Sequence, residues 1–468
     1  MLYLPIFIDK NPLLLKMALP QWPSQFIVLC LISLVQAYTV FETNCSAPVT
    51  LFNYVSSPNT RGTLDILWSS LFTIFACTWS IQHPNVPEQR NFDKETSQGW
   101  IRDQLRNAKW GLKSFYRSTL RMLWTVIAPE LILVAACNEL IQARENCKKM
   151  KNLGLGLKDE ATWSLTHSYY AYMGGFVVHN PSADKKIYHD PYHLTGEEIF
   201  KLREEGHITE LPNIKEAEIK DKSKSDMLGK LIALGQIAWS TIQIIVRAVR
   251  RLPVSPLEVA VVAFAVCAVL MYVLYWEKPQ RVGVTQTIQL NSNNPLYNKP
   301  KLKESPRFFK DIFYAILENF GISFEETLLH GSPISVDRID LADNSRSETI
   351  TIWVVASASA AVFGGIHAVA WNFAFPSTIE LVLWRCASIY TAAAPLCLAL
   401  FLFLSGTLEK HLNLASYATF SIDCLAFVLT AFYSIARLCI IVEMFRTLYF
   451  LPPGSYISTW TSNIPHLA

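Results

Sequence analysis

Apolar positions gather into long runs separated by charged connectors. The runs predict eight helical spans, over residues 64–82, 119–137, 161–178, 228–249, 254–276, 351–373, 378–405 and 420–444. A helix needs about 20 apolar residues to cross a bilayer. The runs at 254–276, 351–373, 378–405 and 420–444 meet that length outright, and 64–82 nearly so. The other three are weaker. The stretch "ATWSLTHSYYAYMGGFVV" (161–178) is short and polar, which suits a re-entrant segment. The run at 228–249 carries Gln236, Ser240, Thr241 and Gln243 and leads into "RAVRR", which suits an interfacial or cavity-lining helix. The expected fold class is all-α, a polytopic transmembrane helix bundle with about seven to eight membrane segments.

Composition agrees: 51% of the 468 residues are hydrophobic and 17% charged, against about 25% charged in soluble domains. A net charge of +3 gives no reason to expect a nucleic-acid partner. Most of the ten cysteines lie in apolar runs and no CxxC pair occurs, so neither a disulfide framework nor a zinc site is indicated. Residues 1–37 read as a signal peptide or a first membrane helix, with small residues Val35 and Ala37 at a cleavage-like position. Residues 38–62 read as lumenal and hold the glycosylation sequon at Asn44. Next come N-terminal membrane helices with charged loops (63–276), an extramembrane connector (277–350) and a three-helix membrane segment (351–468). Seven basic residues between 83 and 118 mark the cytoplasmic side. The loops at 138–160 and 179–227 are also basic, and a single crossing by 161–178 would put them on opposite sides.

Ionisable groups at membrane depth are costly, so each is a functional candidate beside its plainer role. Glu130 follows Pro129 inside "IAPELILVAAC". It can simply open a helix after a break, or be a carboxyl stripped of water that keeps a proton to donate. Asp65 suits a first-turn acid, paired with Arg61, and is the rival acid. Glu258 and Glu380 fit S-x-x-E capping boxes with Ser255 and Ser377. In "FGGIHAVAWNFAFPS", His367 and Trp371 are spaced to share a helix face, Gly364 and Gly365 permit close helix approach, and Asn372 needs a partner. Trp79 and His83 repeat the spacing, and His167 stands among Tyr169, Tyr170 and Tyr172. His189 and His193 are spaced like ligands but flank Pro191 in a hydrophilic stretch, so no metal is expected. Phosphate-loop, dinucleotide, nucleophile-elbow and zinc-protease signatures are absent, so no cofactor is expected. General acid–base chemistry remains.

The segments "RGTLDILWSSLFTIFACTWSIQHPNVP", "THSYYAYMGGF", "LPVSPLE" and "FGGIHAVAWNFAFPS" together resemble a family of fungal multi-pass membrane proteins over most of residues 60–460. They also resemble the membrane-bound terpene cyclases of fungal meroterpenoid pathways. That resemblance implies acid-initiated cyclisation of a prenyl epoxide in secondary metabolism, and it carries over no individual catalytic residue. The residues themselves nominate Glu130, Asp65, His367 and Asn372 as catalytic. They nominate Trp79, His83, His167, Tyr169, Tyr170 and Trp371, with Glu380 and Arg385, as substrate-binding. The expected partners are the lipid bilayer and a lipophilic small molecule, in the endoplasmic reticulum or another endomembrane. A proton-coupled transporter or channel, or a non-catalytic scaffold, stands as the alternative.

Overall fold

A computed structural model describes residues 60–87, 100–157, 162–179, 191–223, 227–291, 346–412 and 417–459. The signal-like segment, Asn44, His189 and most of the 277–350 connector lie outside the described residues. The chain is mostly helical. Among the described residues five helices are long and apolar enough to cross a membrane: Gly229–Val249, Pro256–Leu274, Ile350–Asn372, Thr378–Phe401 and Val428–Phe450.

In chain order the long helices are α1 (Thr63–Ser80), α2 (Trp100–Ile127) and α3 (Pro129–Leu157). The short α4 (Leu165–Tyr172), α5 (Gly196–Glu204) and α6 (Glu216–Lys222) follow, then α7 (Met227–Val249) and α8 (Pro256–Leu274). The C-terminal third adds α9 (Arg346–Ala368), α10 (Thr378–Leu412) and α11 (Tyr417–Arg446). Helix α8 is apolar on all sides, as a helix buried on all sides must be. Some 61% of its window is buried, against 22% for α7, so α8 is the central helix on which α1, α3 and α9 pack. Its start is the expected capping box. Ser255 Oγ accepts from the Glu258 amide at 3.2 Å, and the Glu258 carboxylate accepts from the Ser255 amide at 2.8 Å.

Three expectations are corrected. The run 119–137 is not one continuous helix. Proline at 129 has no N–H for a helical bond, and the chain breaks at Ala128, turning by 109° between α2 and α3. The stretch 161–178 does not form a long helix either. It forms α4 and then β1 (Phe176–Val178), which pairs antiparallel with β2 (Tyr192–Leu194) and parallel with β3 (Gln286–Thr287). The fold is therefore not purely helical. Around this sheet Phe176, Leu194, Ile199, Ile214, Ile219 and Val282 form a second hydrophobic core, separate from the bundle's. Described parts of both basic stretches, at Cys147 and Met150 and at Ile199, Leu202 and Ile219, pack into this one core.

About ten residues on either side of the break, α2 and α3 meet the same end of the bundle. Gln82, just past α1, donates to the Ser118 carbonyl of α2 at 3.1 Å. Gln280, past α8, donates to the carbonyls of Ser80 and Gln82, each at 2.9 Å. Lys278, from the same turn, pairs with Glu139 of α3. Ser118 of α2 and Glu139 of α3 thus lie near this end, on either side of the break at Ala128.

At the α9–α10 crossing, only one of the two glycines is needed. A Cβ on Gly364 would lie 2.6 Å from the Ala392 amide nitrogen, whereas one on Gly365 would meet nothing within 4 Å. Gly364→Ala should therefore destabilise the bundle by about 1–3 kcal/mol. Gly365→Ala should be neutral or stabilising by up to about 1 kcal/mol. Thermal unfolding in detergent compares them, and equal effects would contradict this crossing.

Candidate functional site

Breaking a helix strands backbone groups that need partners. At the α2–α3 break that partner is Arg437 from α11, a buried side chain whose Nε donates to the Ile127 carbonyl at 2.7 Å. Its Nη2 reaches toward Val126, and its guanidinium lies 4.1 Å from the Phe363 ring centroid. Glu130, in the first turn of α3, is 3% exposed, and neither carboxylate oxygen has a hydrogen-bond partner. No salt bridge joins it to Arg437 among the described residues, although the guanidinium charge acts on it through space.

His367, near the end of α9, is fully buried in the same surroundings. Its Nδ1 donates to the Phe363 carbonyl at 2.8 Å, which leaves Nε2 as an acceptor, and that acceptor has no partner. Its ring lies 4.6 Å from Phe363 and 5.8 Å from Trp384, and the Arg437 charge acts on it as well. The start of α3, the end of α9 and the second half of α11 therefore bring an acid, a base and a fixed cation into one apolar, ring-walled region. Neither of the two described cavities is lined by Glu130, His367 or Arg437.

The other nominated residues lie elsewhere. Asp65 is exposed and accepts from the Gly62 amide at 2.7 Å, so it is a local cap. Arg61 pairs with Glu258, at 2.6 and 3.2 Å, rather than with Asp65. Trp371 and Asn372 fall in a 3-10 turn after α9, so Trp371 does not share the buried face of His367. Arg385 stacks over Trp371 at 4.9 Å and reaches the Asn372 side-chain oxygen at 3.4 Å, forming an exposed cluster of their own. Glu380 takes half of its expected box, its amide donating to Ser377 Oγ, and its carboxylate pairs with Arg446 at 2.6 Å. His167 has both nitrogens engaged, by Ser164 and by the Ile214 carbonyl. Tyr169 and Tyr170 donate to the carbonyls of Leu274 and Val284. Tyr169 fastens the β module to the end of α8, while His167 and Tyr170 tie together segments of the module itself. His193 donates from Nδ1 to Gly174, and no group suited to a metal occurs among the described residues.

A second buried polar cluster lies at the boundary between bundle and module. Lys278 and Glu139 form an ion pair with side chains 0% and 3% exposed. The ammonium also sits 4.5 Å from the Tyr275 ring centroid, and the His83 ring packs against the same tyrosine with centroids 4.8 Å apart. Neither partner of the ion pair was singled out in the sequence, where they stand far apart. Arg437 was also passed over, yet it is a cation inside an otherwise apolar run, the signal that singled out Glu130.

Burial pushes the His83 imidazole from 6.5 down to about 3, helped by the charges of Lys278, Lys230 and Arg281 and opposed by its hydrogen bond to Ile81. The unfolded chain then binds the extra proton. His83 contributes fully above about pH 6.5, and that contribution is lost as pH falls toward about 3. His83→Asn should flatten the fall of the unfolding midpoint between pH 7 and 4, and parallel profiles for the two proteins would refute the assignment. Lys278→Met should cost about 3–5 kcal/mol by stranding Glu139, and adding Glu139→Leu should restore much of it. A double variant no more stable than the single one would show that the pair does not act as a unit.

No curated protein and no solved structure matches the chain. Residues 32–297, more than half of its length, match a family of unknown function, DUF8562, and the protein belongs to that family.

Proposed function

We propose that this is an integral membrane protein whose Glu130–Arg437–His367 centre handles a proton at the bottom of a re-entrant helix pair. The five long apolar helices and α1 would make six crossings, and the α2–α3 pair a seventh membrane segment. A rise of about 1.5 Å per residue takes the chain from Ser118 to Ala128 about 15 Å deep, half of a hydrocarbon core about 30 Å thick. Glu130 then lies near the bilayer midplane. The basic stretches 83–118, 138–160 and 179–227 would all face the cytoplasm, and Asn44 the lumen of an endomembrane.

The reaction we assign is acid-initiated cyclisation of a lipophilic, terpenoid-type substrate. The carrying observation is a buried carboxyl with both oxygens unbonded, beside rings that can steady a cation. Glu130 would donate the proton, and Nε2 of His367 would take one back. Arg437 positions the break. Proton-coupled transport is the second reading, favoured by the 109° break, because interrupted helices form ion sites in transporters.

Membranes carrying the protein, given a prenylated epoxide, should yield a cyclised product of unchanged mass. Glu130→Gln should lower the rate by about 100-fold or more. Full turnover by the glutamine variant removes Glu130 from the chemistry. No product from the wild type, together with pH-gradient-driven uptake into vesicles, replaces cyclisation by transport.

A further inference from the structure

A cavity of ≈ 170 Å³ opens between α1 and α7 at the end of the bundle where the β module sits. Its apolar wall includes Phe72, Phe75, Trp79 and Ile232, and its mouth carries Lys230 and Arg281. Phe75 and Ile232 are 47% and 37% exposed, on the outer faces of α1 and α7. Lys230 is the second residue of the span Gly229–Val249, and Arg281 follows the end of the span Pro256–Leu274. The two cations therefore stand at one membrane boundary, directly above apolar rings.

Neither cation is ion-paired among the described residues, both are half-buried, and no carboxylate lines the cavity. Arg281 lies 5.5 Å from the Trp79 ring centroid, and Trp79 stacks on Phe75 at 5.8 Å. The backbone of Arg281 has φ +52°, a left-handed conformation that arginine rarely adopts, so its place is held at a backbone cost. The field around the site is positive, since Lys230, Arg281 and Lys278 all act on His83. Helix α2 adds to that field. It crosses beside Trp79, with the Phe115 ring 6.2 Å away, and carries Arg102, Arg106, Lys109, Lys113 and Arg117 beside exposed Leu105, Leu112 and Tyr116. These cations, on the part of α2 before Ser118, stand on the same side of the membrane boundary, where basic residues attract an anionic leaflet.

From this arrangement we infer that the cavity is a binding site for the phosphate headgroup of an acidic phospholipid, held between Lys230 and Arg281. The lipid's acyl chains run along the Phe75–Ile232 face. Volume supports a headgroup rather than a whole amphiphile, because pockets that enclose drug-sized ligands begin at about 300 Å³. The inference is independent of the chemistry at Glu130.

The test uses the full chain in detergent with added dioleoylphosphatidic acid, dioleoylphosphatidylcholine or inorganic phosphate. Phosphatidic acid should raise the unfolding midpoint, and the other two should not. Lys230→Gln/Arg281→Gln should weaken the apparent affinity for phosphatidic acid at least tenfold. Should that variant fail to fold, acylation of Lys230 in the wild type, read by peptide mass spectrometry, replaces it. Phosphatidic acid should protect Lys230, and phosphatidylcholine should not. An equal response to the zwitterionic lipid, an equal response to free phosphate, an undiminished response in the double variant, or an unprotected Lys230 overturns the inference.

Discussion

Arg437 lies under the break between α2 and α3, and the interior of the bundle is organised around that contact. Proline at 129 interrupts the helix, and the interruption exposes carbonyls among helices that offer no water. One guanidinium meets Ile127, lies against Phe363, and brings its charge to bear on both Glu130 and His367. A fixed donor array suits this task better than a flexible ammonium, because several acceptors in different directions are met at once. The helices that contribute are distant in sequence, and the contact joins the N-terminal half of the chain to the last long helix.

The same constraint recurs at both ends of the bundle. At the end near α1's start, Arg247 is 2% exposed and donates to the carbonyls of Pro253, Gly454, Ser455 and Ile457. Arg61 holds Glu258 and also donates to Ser455. At the other end, Gln280 satisfies carbonyls past α1, and Lys278 meets Glu139. Each of these residues spends its charge or dipole on irregular backbone or on a buried partner. Most polar residues of the interior thus serve turns and breaks. Among the described residues Glu130 is the one side chain with both carboxylate oxygens buried and unpartnered, while Nε2 of His367 is one of several single buried atoms without a partner, and an unsatisfied buried group calls for an explanation beyond packing.

Much of the architecture was legible because hydrophobic length is a local property. The spans at 254–276, 351–373 and 378–405 and the box at Ser255–Glu258 appear where their residues predict them. The errors share one cause. A stretch such as 161–178, with its rings and its short apolar end, is buried, yet what buries it is a sheet and helices supplied by residues 191–223 and 286–287. Composition reports burial and not the identity of the neighbours. Likewise His167, Tyr169 and Tyr170 were nominated by density of polar rings, but their polar atoms are used up by carbonyls remote in the chain.

By itself the sequence determined the long apolar helices, the break at Pro129, and the placement of an acid and an imidazole in apolar runs. Each follows from side chains and dihedrals within a few residues of one another. Only the tertiary structure decided that Glu130 and His367 share one cation while Asp65 and Asn372 lie outside. It alone turned 119–137 back on itself, paired Lys278 with Glu139, and set Lys230 and Arg281 over one aromatic wall. Those outcomes depend on which helix ends meet, and that is fixed by packing across the whole chain rather than by any pattern along it.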